Sequence, residues 1–338
     1  MIGPFLKRLV DGQHLDRQEM HALFSQMMDG ALTDAQKSAL LIALRMKGET
    51  PEEITGAAMA MRERVTPLQS DDDNLIDTCG TGGDGRGTFN ISTVAAIVAA
   101  GAGASVAKHG NRAVSSSCGS ADVLTALGVH IDLDADRMSQ VLRRTNISFL
   151  FAPKLHPAMG AVVGVRRELG VRTIFNVLGP LTNPAFAKRQ VLGVYSDHLV
   201  ETVARVLLAL GAEHALVVHS RDGLDEISVS AATHVCEVRD GDIRTYDIMP
   251  LDLGVAVHSL DELAGGDAAE NARIAQAILG GENGARHDVV AANAGAALYV
   301  SGAAGTLRDG VRMAREALAS GAAKQKLDEL IAATQELA

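Results

Sequence analysis

Asp77-Thr-Cys-Gly-Thr-Gly-Gly-Asp-Gly-Arg-Gly-Thr-Phe-Asn-Ile-Ser-Thr93 reads as the end of a strand, a glycine-rich loop and the polar mouth of a helix. Leu75 and Ile76 ahead of it suit a short buried strand. The almost unbroken apolar run 94–107 behind it suits a helix enclosed on all sides. Five glycines stand at 80, 82, 83, 85 and 87, where an ordinary turn needs one or two. Such a loop lets an anion approach main-chain N–H groups, and the helix dipole behind it favours negative charge. Asn90, Ser92 and Thr93 add side-chain oxygens at the helix mouth.

The string Gly80-x-Gly82-x-x-Gly85 also matches a dinucleotide fingerprint, and its context argues against that reading. A ribose-binding acid should follow about 20 residues on, yet no Asp or Glu stands between Asp84 and Asp122. No Gly-Lys-Ser/Thr closes the glycine run, which excludes a P-loop. Within a chain of formal charge −10, this acid-free window holds Arg86, Lys108 and Arg112. The local inversion of sign points to a polyanionic ligand. The next segment, Lys108-His-Gly-Asn-Arg-Ala-Val-Ser-Ser-Ser-Cys-Gly-Ser-Ala-Asp122, repeats cations and hydroxyls in a second loop. Two such loops on adjacent strand ends would face one crevice, the usual ligand site of an open α/β sheet.

Gly80-Thr-Gly-Gly-Asp84, Asn90-Ile-Ser-Thr93, Lys108-His-Gly-Asn-Arg112 and Gly119-Ser-Ala-Asp122 resemble the motif series of the anthranilate phosphoribosyltransferases. The resemblance continues through Leu155-His-Pro157, Arg166, Asn176-Val-Leu-Gly-Pro-Leu-Thr-Asn-Pro184 and Asp225-Glu226, nearly the whole chain in order. Cys118 and Thr125 depart from the serine and glutamate common in the family. The implied reaction, a step of tryptophan biosynthesis, joins anthranilate to 5-phosphoribosyl-1-diphosphate. The resemblance implies that the donor is held by Gly80, Gly83, Asp84, Thr88, Asn90, Ile91, Ser92, Thr93, Lys108, His109, Gly110, Asn111, Arg112, Ala113, Val114, Ser115, Ser116 and Ser120. It implies an acceptor site at Gly80, Asn111 and Arg166, and Mg²⁺ at Ser92, Asp225 and Glu226. Two ions are expected, one carried with the donor's pyrophosphate. Two chains would associate as a homodimer through a small helical domain.

Several of these residues have a second reading. Arg166 suits a carboxylate because its fork pairs bidentately, while Arg167 and Glu168 beside it make a solvated surface charge cluster an equal alternative on spacing alone. Asp225 and Glu226 offer the hard oxygens Mg²⁺ prefers, provided that Gly223 makes an irregular turn; acidic loop residues are otherwise merely solvated. No catalytic residue is assigned firmly. His109 and His156 are candidates for shaping the acceptor pocket or relaying a proton, and equally for buried, hydrogen-bonded histidines.

Length and composition bound the rest. A chain of 338 residues accommodates one large domain and one small one, and with aromatic residues at 3% its core must be aliphatic. Cys79, Cys118 and Cys236 lack C-x-x-C spacing, which argues against a disulfide framework or structural zinc. With no apolar stretch of about 20 residues, no membrane association is expected. Acidity argues against general nucleic-acid binding. The expectation is a soluble cytoplasmic protein. Asp16-x-x-Glu19, Thr33-x-x-Gln36 and Thr50-Pro-Glu-Glu53 are three capping-box starts. They predict a small helical domain over 1–72, to which the resemblance adds a returning segment near 165–185. Strands at 105–108, 191–195, 215–219 and 233–238 alternate with helices at 121–127, 139–144, 157–169 and 199–210. They predict a large α/β domain over 73–164 and 186–338 with a mainly parallel central sheet, covered by helices at 289–300 and 307–318. A pyrimidine-nucleoside phosphorylase, or a non-catalytic nucleic-acid-binding relative of the same fold, is the alternative. The first needs no acid pair; the second should show a basic surface.

Overall fold

The computed structural model describes residues 2–113 and 117–338. Four helices open the chain: α1 (Gly3–Val10), α2 (Arg17–Met28), α3 (Asp34–Lys47) and α4 (Pro51–Arg62). The three capping boxes read from sequence start α2, α3 and α4. Asp16, Thr33 and Thr50 each accept the N–H of the residue three positions on, and Glu19, Gln36 and Glu53 reach back to the cap backbone. Each cap contributes about 1 kcal/mol. Glu53 is wholly buried because it also accepts from Leu15 N–H at 3.0 Å and from Lys47 Nζ at 2.8 Å.

A single sheet follows, with β1 (Ile76–Gly80), β2 (Val106–Gly110), β3 (Ile147–Phe151), β4 (Arg189–Gly193), β5 (His214–Ser220), β6 (Thr233–Arg239) and β7 (Asp242–Ile248) in the order β3-β2-β1-β4-β5-β6-β7. The first five strands are parallel; β6 and β7 are antiparallel additions at one edge. Chain order runs outward from β1 through β2 and β3 on one side and resumes at β4 on the other. The switch between β1 and β4 opens the crevice at the strands' carboxyl ends, where open α/β sheets bind ligands.

The connecting helices are α5 (Ile91–Gly101), α6 (Ser120–Ala126), α7 (Ala135–Thr145), α8 (Ala152–Leu155), α9 (Val163–Leu169), α10 (Phe175–Leu178) and α11 (Leu199–Ala209). The carboxyl end supplies α12 (Ala268–Leu279), α13 (Ala285–Ser301), α14 (Leu307–Ala319) and α15 (Ala322–Glu336). Buried alanines dominate α5 and α13, so these helices pack close with few aromatics. The apolar residues form two clusters. One joins the sheet to α5, α13, α14 and α15; the other joins the first four helices to Val162, Val165, Ile174, Phe175, Leu178 and Leu181 and to α11.

Three expectations are corrected. The run 94–107 is not one helix: α5 ends at Gly101, Gly103 turns the chain at φ 101°, and β2 begins at Val106. The helix expected over 157–169 is broken into a 3-10 turn (Pro157–Ala161) and α9. Val162, at φ −127°, stands between them, and Gly160 and Gly164 weaken the helix on either side. The spacing also missed β3, β7, α1, α12 and α15. β3 is only five residues long, and Asn146 at φ 56° ends α7 immediately before it. β7 is a polar, largely exposed edge strand that lacks an apolar alternation.

Candidate active site

The loop between β1 and α5 is held from below and left open above. Thr81 N–H donates to the Gly193 carbonyl at 2.8 Å, and Gly82 N–H to Asp225 Oδ2 at 2.9 Å. Among the described residues, the N–H groups of Gly83, Asp84, Gly85 and Gly87 have no acceptor. Such unsatisfied donors before a helix N-terminus are what an anion site requires. Ile91 is buried in the core, so only its backbone can serve the loop, and Thr93 is buried as well. Thr88 bridges to Ala264.

Asn90 does not cap α5 as expected. Its Nδ2 donates to the Cys118 carbonyl at 3.1 Å, and its Oδ1 accepts from Asn271 Nδ2 at 3.0 Å. The side chain therefore ties the glycine loop to the second loop and to α12. The first turn of α5 is satisfied by Glu226 instead, whose Oε1 accepts Ser92 N–H at 3.1 Å.

Asp225 and Glu226 reach this place because β4 ends in glycine. A Cβ at Gly193 would lie 1.5 Å from the Asp225 carbonyl oxygen, and one at Gly80 2.9 Å from Asp225 Oδ2. Gly223, at φ 92°, makes the irregular turn the pair required. Asp222 holds that turn by accepting from Ser228 Oγ at 2.6 Å and from Leu224 N–H at 3.2 Å. The pair is not a freely solvated surface cluster. Burial drives the Asp225 carboxyl well above the usual carboxylate range, aided by Glu226 and Asp84. Burial also raises Glu226 to about 7, against the pull of Lys108 and Ser92. The empty site thus resists carrying its full negative charge, and a divalent cation would favour the ionised pair. No three His, Cys, Asp or Glu side chains among the described residues are placed to hold a metal alone. Phosphate and water would complete the shell, as Mg²⁺ commonly requires.

A pH effect follows from Glu226. Unfolded, it ionises near its ordinary value of 4.5; folded, it holds its proton to about 7. Folding is favoured by this group below the lower value, and that advantage is lost as pH rises through the upper one, an effect on the order of 1–3 kcal/mol. In divalent-free buffer, the unfolding free energy should fall between about pH 5 and about pH 8, and Glu226→Gln should flatten the fall. An unchanged slope in the variant would mean that the carboxylate is freely solvated.

Lys108 lies beneath the loop rather than free in the cleft. Its Nζ donates to the Thr78 carbonyl and stands 3.5 Å from Ser92 Oγ. Burial lowers its pKa, and Asp77, Cys79 and Glu226 oppose the shift. Asp77, wholly buried, accepts His109 N–H at 3.1 Å and Asn183 Nδ2 at 2.8 Å, so it braces β2 from β1. Asn183 also donates to the Ala107 carbonyl at 2.8 Å. Neither residue was identified from spacing. Asn183 lay in a motif whose individual roles the sequence did not reveal, and Asp77 was read only as the start of the loop.

His109 and His156 meet with Nε2 to Nε2 at 3.0 Å. Burial holds His109 at about 3 and His156 at about 4, so both rings are neutral near pH 7. In the second loop, Asn111 accepts Ser120 Oγ at 3.3 Å and Ala121 N–H at 3.2 Å through its carbonyl. Gly110 ends β2, and a Cβ there would lie 2.3 Å from Ser120 Oγ. Arg112 pairs with Asp122 at 2.9 Å, and the same carboxylate accepts Ala113 N–H and Gly119 N–H. Val114, Ser115 and Ser116 lie outside the described residues.

Arg166, on α9, is partly buried with its guanidinium carbon 5.2 Å from the Phe175 ring centre. Among the described residues its guanidinium has no hydrogen-bond or ion-pair partner, and burial lowers its pKa. Arg167 and Glu168 beside it are exposed. A desolvated cation without a counter-ion is costly unless an anionic ligand completes it. Among the described residues no hydrogen bond, ion pair or ring contact joins Arg166 to the two loops directly. A cavity of about 220 Å³ lined by Glu237, Arg239, Arg244 and Tyr299 lies at the other end of the sheet, where β6 ends beside the start of β5, away from all of these groups.

Residues 72–324 match the family model described as "Glycosyl transferase family, a/b domain", and residues 3–65 match "Glycosyl transferase family, helical bundle domain". The chain is 57% identical over 335 residues to the anthranilate phosphoribosyltransferase of Anaeromyxobacter sp. (strain Fw109-5), with 99% of each chain covered. The solved anthranilate phosphoribosyltransferase of Thermus thermophilus is 44% identical with a TM-score of 0.93, covering 98% of this chain and 99% of that one. The Saccharomyces cerevisiae enzyme in complex with PRPP and Mg is 29% identical with a TM-score of 0.89, covering 99% and 98%.

Proposed function

As the chain belongs to the anthranilate phosphoribosyltransferases, we propose that its reaction takes place in the crevice between β1 and β4. The reaction moves the 5-phosphoribosyl group from 5-phosphoribosyl-1-diphosphate to the amine of anthranilate and releases pyrophosphate, a step of tryptophan biosynthesis. The observation that carries the placement is the meeting, at one strand-end crevice, of unsatisfied loop N–H groups with two half-buried, unbalanced carboxylates.

Donor pyrophosphate lies against the free N–H groups of Gly83, Asp84, Gly85 and Gly87, with the N-terminus of α5 behind them. Asp225, Glu226 and the Ser92 hydroxyl would hold Mg²⁺, with a second ion carried by the pyrophosphate; bound there, magnesium supplies charge neutralisation to the leaving group. Displacement at the anomeric carbon builds negative charge on pyrophosphate, and donors fixed in advance need no reorganisation as it develops. Lys108 adds positive potential from below. Arg166 pairs with the anthranilate carboxylate, which presents the aromatic amine to the ribose. That amine is unprotonated near neutral pH, so attack requires no strong base. His109 and His156 wall the pocket; with values near 3 and 4 they are poor bases at neutral pH. The proton therefore passes to departing pyrophosphate or water.

The first four helices and the segment near 165–185 form one small domain beside the α/β body, sharing an apolar cluster. Two copies pair through it: Val10 and Met46, 76% and 83% exposed on the packed helices α1 and α3, supply an apolar face. Among the described residues no helix is long and apolar enough to cross a membrane. The reaction's setting is the cytoplasm.

Loss of anthranilate fluorescence should require both the donor and Mg²⁺. Equal turnover in EDTA would remove the metal from the account. Phosphorolysis of thymidine or uridine without anthranilate turnover would move the chain to the phosphorylase reading.

A further inference from the structure

Arg172 stands six residues beyond Arg166 and was not identified from the sequence. Gly170, at φ 60°, ends α9, and Asn176 Oδ1 accepts Thr173 N–H at 3.0 Å ahead of α10. Arg172 is thereby fixed between two helix boundaries. Its Nη2 donates to the Gly83 carbonyl, and its guanidinium carbon lies 4.3 Å from the centre of the Tyr195 ring. Gly83 sits at φ 79°, and a Cβ there would come within 3.2 Å of Arg172 Nη2. Tyr195 follows β4, and its N–H donates to Thr81 Oγ1 at 3.0 Å. One guanidinium therefore joins three pieces: the segment carrying Arg166, the open part of the glycine loop, and the chain leaving β4.

Holding the Gly83 carbonyl has a consequence one atom further on. In a trans peptide the C=O and the following N–H point in opposite directions. Arg172 therefore sets the direction of Asp84 N–H, one of the loop donors left without an acceptor.

We propose that Arg172 is a positioning residue for the transfer: it clasps the glycine loop to the segment that carries Arg166, so that occupation of the donor site and of the acceptor site are coupled. The clasp rests on the placement of donor and acceptor given above. Lysine at this position could keep the carbonyl bond and the charge while losing the flat face that stacks on Tyr195.

The test uses the full-length protein with Arg172→Ala and Arg172→Lys. Hydrogen exchange without substrate comes first, since it does not depend on where either substrate binds. Arg172→Ala should speed exchange at least fivefold at Gly82 and Arg86, the hydrogen-bonded amides within 82–87, while the strands keep their protection; unchanged exchange at both overturns the clasp. Calorimetric titration of anthranilate, with and without Mg²⁺ and pyrophosphate as the unreactive donor probe, comes second. In the wild type the probe should change anthranilate affinity; in Arg172→Ala that change should vanish while affinity for anthranilate alone stays within twofold. At saturating substrates kcat should fall tenfold or more in Arg172→Ala and be partly restored in Arg172→Lys. A rise confined to donor KM, with kcat intact, would make Arg172 a direct phosphate ligand and overturn the positioning role. Parallel loss of activity and Tm with no rescue by lysine would make it merely structural. Anthranilate binding that persists in Arg166→Ala would fault the acceptor placement and leave the exchange result standing.

Discussion

Arg166→Ala should raise the anthranilate KM by about thirty- to several-thousand-fold, the equivalent of 2–5 kcal/mol for leaving a bound charge unpaired. The expectation rests on the state of Arg166 without ligand: partly buried, held over Phe175, lowered in pKa by burial and without an ion-pair partner among the described residues. An arginine kept for stability would normally have a carboxylate or a carbonyl. Arg62, by contrast, donates to the Leu181 carbonyl at 2.8 Å. Removing Arg166 takes away a cation–π contact worth about 0.5–1 kcal/mol at an exposed site and also relieves a desolvated charge. Folding stability should therefore change little. Arg167→Ala, on the exposed side of the same helix, is the control and should leave KM within about twofold, as surface substitutions usually do. A large drop in Tm with an unchanged KM would assign Arg166 to packing.

Replacing the acid pair by its neutral isosteres, Asp225→Asn with Glu226→Gln, should cost several kcal/mol of transition-state stabilisation, or two to three orders of magnitude in kcat/KM at fixed Mg²⁺. The same change should leave the divalent-free protein as stable as the wild type or more so. The reason is that the pair resists ionisation: burial first, then the charges of Glu226 and Asp84, raise Asp225, burial with Asp84 raises Glu226, and only Lys108 and local donors oppose the shifts. A site that is strained when empty and catalytic when filled is expected to gain stability on losing its charge. Thermal melts with and without Mg²⁺ provide the check. Wild-type magnesium stabilisation in the double variant would show that the ion binds elsewhere.

Local chemistry was legible wherever a short motif is sufficient by itself. Three capping boxes placed α2, α3 and α4, and the glycine run marked the loop between β1 and α5. What spacing could not supply was which groups meet from distant parts of the chain. Nothing near Asn90 announces that its amide leaves α5 to bridge Cys118 and Asn271. Nothing near Asp225 announces that Gly193 stays small for its backbone, or that Glu226 takes the Ser92 N–H expected for a ligand. Nothing near Arg172 announces that its guanidinium donates to a carbonyl 89 residues earlier. Lys108 was legible as a cation of the site; its position beneath the loop, with its ammonium on the Thr78 carbonyl, follows from the register of β2 against its neighbours.

The division of the crevice into a donor side at the glycine loop and an acceptor side at Arg166 is the central claim. Separate calorimetric titrations of Arg166→Ala with anthranilate and with Mg²⁺ plus pyrophosphate test it most directly. Anthranilate binding should be lost or weakened at least thirtyfold, and pyrophosphate binding should match the wild type, because 80–93, Asp225 and Glu226 are untouched. An Arg166→Ala protein that keeps anthranilate and loses pyrophosphate would contradict the account and exchange the two substrates.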